Sequence, residues 1–306
     1  MSIELLNNNF AISSYLSFRQ IDTGVTLIDV DTAQATATIS LMGGQVLNWH
    51  PKSQVEPVLW VSKLAQYVPG KAIRGGVPIC WPWFGAHPSD SRLPGHGFAR
   101  VAPWEVASTI VDSSGVVDIE LILAESDVVA KSCSSDWPAS VSLSARIRIG
   151  EELEVSITTM NKSDQDVRFT EGLHTYFHVS DIENVRVLGL EECNYVDLTD
   201  GNQRRQQSGP IVFSGELGRI FVNCEKKSVI EDRELGRAIH VVGAGSKSIA
   251  VWNPWLETAS KMSDLGSVGW RSMVCVETAN ALENTILIQK GQHQTMSVNY
   301  SVTTLA

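Results

Sequence analysis

The stretch VSLSARIRIGEELEVSITT, residues 141–159, decides the fold. Val141, Leu143, Ala145, Ile147 and Ile149 alternate with Ser142, Ser144, Arg146 and Arg148. Period-two alternation is the mark of a strand with one face in a core and the other in water. After Gly150-Glu151-Glu152, which has turn chemistry, it resumes with Leu153, Val155, Ile157 and Thr159 against Glu154, Ser156 and Thr158. Two such strands joined by a short turn predict an antiparallel hairpin.

The same period recurs on either side. Val117, Ile119, Leu121 and Leu123 alternate with Asp118 and Glu120, and Met296, Val298, Tyr300 and Val302 with Ser297, Asn299, Ser301 and Thr303. Turn-forming clusters punctuate the chain at Asp112–Gly115, Asn161–Asp164, Asp200–Asn202 and Gly243–Ser246. No segment of twelve residues or more follows the helical period. The expectation is an all-β protein, a large antiparallel β-sandwich formed by residues 1–306 as one domain. A chain of this length buries about 75% of the surface its unfolded form exposes, enough for a large core.

Composition excludes several classes. Hydrophobic residues are 43% and charged residues 19%, so the chain is not disordered. No apolar run approaches the roughly 18 residues of a membrane span, and residues 1–20 have a single cation, Arg19, with no signal-peptide pattern. Twenty-four Lys and Arg against 34 Asp and Glu leave a net charge of −10. That balance disfavours nucleic acid as a partner, and no basic amphipathic helix offers itself to a membrane surface. The five cysteines, Cys80, Cys133, Cys193, Cys224 and Cys275, are odd in number and widely spaced, which fits reduced thiols in a cytoplasmic protein.

Two segments break the alternation: Lys71–Arg100, dense in Gly, Pro, Trp, His and Arg, and Thr170–His178, where Glu171, His174 and His178 lie among aromatics. Irregular, aromatic and charged segments on a β scaffold are where sites are built. His174 and His178 have metal-ligand spacing only on a helix. Their neighbours favour a strand, on which residues four apart are about 13 Å from one another, too far for one ion. No G-x-S-x-G elbow or dinucleotide fingerprint occurs. Arg74 precedes Gly75-Gly76, and Arg100 closes Gly95–Arg100, so close backbone approach leaves both guanidinium forks free to grip an anion. Trp81, Trp83 and Phe84 read equally as a pocket wall or as a structural aromatic cluster. His174 and Glu277, each in an apolar run, read by themselves as satisfied structural residues.

The segments IRGGVPICWPWFG (73–85), HGFAR (96–100), LHTYF (173–177), VWNPW (251–255) and VCVETA (274–279) change that weighting. Together they resemble the hexose-6-phosphate mutarotases, or glucose-6-phosphate 1-epimerases, a branch of the aldose-1-epimerase superfamily. The resemblance implies a β-sandwich whose concave face holds the sugar, with His174 as acid and Glu277 as base. It places Arg74, His96 and Arg100 on the substrate, the arginines toward a phosphate, beside the aromatic wall of Trp83 and Phe84. It also implies no metal and no organic cofactor, and a small-molecule sugar phosphate as the partner; the sequence leaves the oligomeric state open, with a monomer as the expectation. The implied reaction interconverts the α and β anomers of glucose 6-phosphate and related aldohexose 6-phosphates. An ionised Glu277 would take the anomeric hydroxyl proton while a protonated His174 gives one to the ring oxygen. Two departures stand out: Gly218, in Glu216-Leu217-Gly218-Arg219, replaces a sugar-binding Asp of the family's E-x-D-R segment, and Gly95 stands where relatives often carry Gln. A mutarotase of unphosphorylated aldoses and a non-catalytic sugar-phosphate-binding protein are the competing readings.

Overall fold

Residues 1–124, 137–138 and 140–305 are described by a computed structural model. The predicted hairpin is its centre: strands Val141–Ile149 and Leu153–Asn161 pair antiparallel with Ile149 opposite Leu153. Gly150 closes the turn by donating to the Glu152 carbonyl at 3.0 Å. Every second residue of both strands is buried, as alternation requires. Val117–Leu123 and Trp104–Val111 extend the sheet on one side and His293–Thr304 on the other. Arg237–Ala244, Ser228–Asp232, Val185–Leu188 and Ile211–Val212 complete nine antiparallel strands.

A second sheet of eight strands packs against the first. Its order is Gln203–Gln206, Asn194–Asp197, Leu217–Val222, Ser248–Asn253 and Met273–Asn280; Glu171–Leu173 and Tyr176–His178 both pair with Met273–Asn280, and Ile79–Cys80 lies beyond Glu171–Leu173. Ile147, Ile157 and Val298 of the first sheet and Leu173, Phe177, Val251, Val274 and Val276 of the second belong to one buried cluster. Two polar ties cross it: Thr175 and Tyr300 share a hydroxyl hydrogen bond of 2.5 Å, and Trp81 Nε1 donates to Thr159 at 2.9 Å. A four-stranded sheet, Leu16–Gln20 to Gln45–Pro51, joins the same core through Trp49, whose Nε1 donates to the Gly150 carbonyl. The helices among the described residues are short, the longest being Ile3–Phe10 with Ser2 as its cap.

One expectation needs correction. Cys193 and Cys224 are joined by a disulfide, with Cα atoms 6.0 Å apart across 31 residues of sequence. Sequence spacing does not reveal this because strand register brings the cysteines together: Tyr195 pairs with Phe221, so the ends of two neighbouring strands meet. Cys80 and Cys275 are free and buried, and Cys133 lies outside the described residues.

Candidate active site

The outer face of the eight-stranded sheet assembles the site. Glu171–Leu173 pairs with Thr278–Asn280, and Tyr176–His178 with Met273–Cys275, in one continuous register. Extending it across the intervening residues sets His174 opposite Glu277. The ladder opens there, with His174 N bonding to the Pro78 carbonyl instead. Residues 103 apart in sequence become cross-strand neighbours, with His174 Nδ1 at 3.5 Å from Glu277 Oε1. Around them Glu277 is opposite Ala250 and Ala250 opposite Ile220; two residues along, Tyr176, Cys275, Trp252 and Gly218 form a second row.

Loops then cover this face. The Phe84 ring lies over Gly172, where a Cβ would meet it at 2.5 Å, so only glycine admits the aromatic cover. His96 sits at φ +62°, sparsely populated by non-glycine residues, and its ring reaches His174 with centroids 5.2 Å apart. Its Nδ1 accepts from Gly85 N–H at 3.3 Å, which leaves the ring proton on Nε2. Burial, reinforced by Arg100 and Arg74, takes its pKa down to about 3. His96 is therefore a neutral donor, able to bind a sugar oxygen without giving up its proton.

The His174–Glu277 pair is almost dry, with side chains 9% and 2% exposed. Burial pushes the Glu277 pKa well up, with Arg100 pulling the other way. Burial also pushes His174 well down, assisted by His96, Arg100 and Arg74. The resemblance implies an ionised Glu277 and a protonated His174, but in the unliganded site desolvation favours both neutral forms. The proton count is the same either way: one proton is shared by two groups of matched geometry. Nδ1 of His174 and Oε2 of Glu277 have no hydrogen-bond partner, so the pair has unspent capacity for a ligand.

The predicted binding residues divide. Arg74 is close to the site, but its fork is taken. Nε donates to Asp264 at 3.1 Å and Nη1 to the Tyr176 hydroxyl at 2.9 Å. Burial alone would lower its pKa; Tyr176 and Asp264 outweigh it, so the guanidinium stays charged. The free fork expected of Arg74 is thus an interior tie that braces Tyr176, whose ring stacks on His174 at 4.9 Å. Arg100 is less engaged, with Nη2 on the Gly95 carbonyl at 2.8 Å and a buried Nε without partner. Trp83 is not on the site. It is buried, donates to the Pro94 carbonyl at 2.8 Å and packs on Phe98 and His87, supporting the loop from within. Phe84 faces the site, beside Ile220, Ala250 and Ala279.

Three residues escape the sequence reading: Tyr176, Trp252, whose ring meets His174 edge-on at 5.9 Å, and Asp264. Tyr176 and Trp252 stand inside the quoted segments, and Tyr176, two residues after His174, shares its face of the strand, which is a usable signal. Asp264 has none, since it comes from a loop 190 residues beyond Arg74. Gly218 is opposite Trp252, and a Cβ there would meet nothing nearer than Leu198 Cβ at 3.4 Å, so the position has room for a side chain. As for metal donors, His174, Cys275 and Glu277 gather on this face, whereas His178 is not part of the group.

Two facing antiparallel sheets, one with a buried His–Glu pair on its outer face, define a class. The galactose mutarotase-like protein of Clostridium acetobutylicum shares the fold, with a TM-score of 0.68 at 13% identity over 95% of this chain and 99% of that one. The family model described as aldose 1-epimerase matches residues 26–301, and the chain belongs to that family. It is 36% identical over 288 residues, 94% of each chain, to the Escherichia coli protein named "Putative glucose-6-phosphate 1-epimerase". It also matches the crystal structure of "a putative mutarotase" from Salmonella typhimurium, with a TM-score of 0.88 and 33% identity over 96% of both chains.

Proposed function

We propose that this protein interconverts the α and β anomers of glucose 6-phosphate and related aldohexose 6-phosphates, with Glu277 as base and His174 as acid. The observation that carries this reading is the buried cross-strand pair, 3.5 Å apart, with orphaned polar atoms on each partner. A bound sugar hydroxyl donating to Glu277 Oε2 stabilises the carboxylate, and the shared proton moves to His174. Glu277 then takes the proton of the anomeric hydroxyl while His174 delivers one to the ring oxygen. The bond between the anomeric carbon and the ring oxygen breaks as the aldehyde forms. Rotation exposes the other aldehyde face, and reclosure runs the same transfers in reverse, returning one proton to the pair. His96, neutral with its proton on Nε2, donates to a sugar oxygen as charge develops.

Arg100 is the cation with donor capacity for the phosphate, and Arg74 acts through Tyr176. The reduced guanidinium supply is the observation that favours a second reading, in which plain aldoses are turned over equally well. We place the protein in the cytoplasm, where a charged sugar phosphate is retained; none of the described helices is long and apolar enough to cross a membrane. Magnetisation exchange between α- and β-glucose 6-phosphate, followed by NMR with and without protein, tests the proposal. Acceleration for the phosphate above glucose and galactose supports it; equal acceleration for plain sugars favours the second reading, and none for any sugar overturns both.

A further inference from the structure

Ring opening uses no thiol, yet Cys275 stands on the reactive face two residues before Glu277. Donor atoms of His174, Cys275 and Glu277 all lie within 4.8 Å of one another, and all three residues are buried. Two ligands held at ~2.1 Å by a tetrahedral ion are ~3.4 Å apart. His174 Nδ1 and Glu277 Oε1 are at 3.5 Å, so two corners of such a site are already in place. With Zn–S at ~2.3 Å the sulfur belongs ~3.6 Å from each of them, so a shift of up to about 1.2 Å supplies the third. His174 Nδ1, one of the two atoms already in place, is buried and has no hydrogen-bond partner, an observation that points to a missing ligand independently of the cysteine.

We propose that Cys275, His174 and Glu277 form an inhibitory site for a thiophilic divalent cation of the Zn²⁺ type, with a cleft water as fourth ligand. Thiolate and carboxylate together neutralise the ion, which suits a site without bulk water. Binding releases two protons to solvent, one from the thiol and the one shared by the acid–base pair. The ion then holds the atoms that would exchange protons with sugar, and turnover stops. A hard cation such as Mg²⁺ gains nothing from sulfur and imidazole donors and is not selected. The inhibition rests on the proposed function; the binding does not.

The test is calorimetric titration of the chelator-stripped full chain with Zn²⁺ alone and with Mg²⁺ alone, on wild type, Cys275→Ala, Cys275→Ser and Glu277→Gln, each checked for fold by circular dichroism. The expected result is Zn²⁺ binding weakened about tenfold or more in every folded variant, and anomer exchange by the wild type lost with Zn²⁺ and restored by EDTA. Zn²⁺ affinity unchanged in the Cys275 variants, no Zn²⁺ binding, or equal inhibition by Mg²⁺ overturns the proposal. If the metal-free protein shows no anomer exchange, the functional reading fails while the calorimetric comparison still decides the metal site.

Discussion

The two large sheets share one local pattern and use it to different ends. In the nine-stranded sheet the hairpin 141–161 buries alternate residues and leaves Ser, Thr, Arg and Glu toward water. In the eight-stranded sheet the strand Met273–Asn280 buries all eight of its residues. Its inner face, with Val274 and Val276, is core, and its outer face, with Cys275 and Glu277, is roofed by the loops that carry Phe84, His96 and Arg74. One face of a sheet suffices for stability. Covering the second removes water from titratable groups, and that loss of water moves the Glu277 and His174 pKa values toward each other's range.

The sharpest way to break this contrast is to change one residue on each outer face. Glu277→Gln and His174→Ala should lower kcat for anomer exchange by about 10²–10⁴ with the fold intact by circular dichroism. Ser156→Ala, on the solvated face of the other sheet, should leave kcat unaltered. Near-wild-type turnover in either site variant removes that residue from the mechanism.

The core between the sheets holds a carboxyl of its own. Glu171 is fully buried, receives one hydrogen bond from Asn280 and has an unpartnered Oε2. Burial raises its pKa from 4.5 to about 8 against the effect of Asn280. The folded state thus keeps a proton that the unfolded chain has lost, so stability falls as pH rises from 4.5 to 8. Glu171→Gln should abolish a loss on the order of 4 kcal/mol across that window, measured by urea unfolding at several pH values. A wild-type stability as flat as that of the variant would show that the carboxyl is not held protonated.

Smaller effects sharpen the division between the arginines. Arg100→Ala should raise KM for glucose 6-phosphate about 10–100-fold, the value of a charge-assisted hydrogen bond, and change the steady-state constants for glucose little. Equal losses for both sugars would assign Arg100 to the sugar rather than to phosphate. Last in size, Gly218→Asp should lower KM for one or more hexose phosphates about tenfold, the low end of the worth of a hydrogen bond to a charged group. No change with any hexose phosphate would mean that the position does not reach the sugar.

Much of the fold is legible along the chain because strand periodicity and turn chemistry are local. Val141–Asn161 can be read without knowing what it packs against. Phe84 and Trp83 show the limit. They are adjacent, chemically alike and both in the motif, yet one roofs the site and the other braces the loop from below, because successive side chains diverge and only packing decides which is which. Arg74 shows another: its neighbours in sequence advertise a free fork, and Asp264 and Tyr176 occupy it from elsewhere in the chain.

By itself, the sequence determined the acidic charge, which is a sum over its residues, and the all-β class, the turns and the segments from which a site would be made, each of which depends on residues within a few positions of one another. The tertiary structure alone decided what faces what. Antiparallel register set His174 against Glu277, Cys193 against Cys224, and Cys275 beside the His174–Glu277 pair. Register is a property of two strands at once, and the desolvation that tunes the pair requires the loops as well. No local stretch contains either.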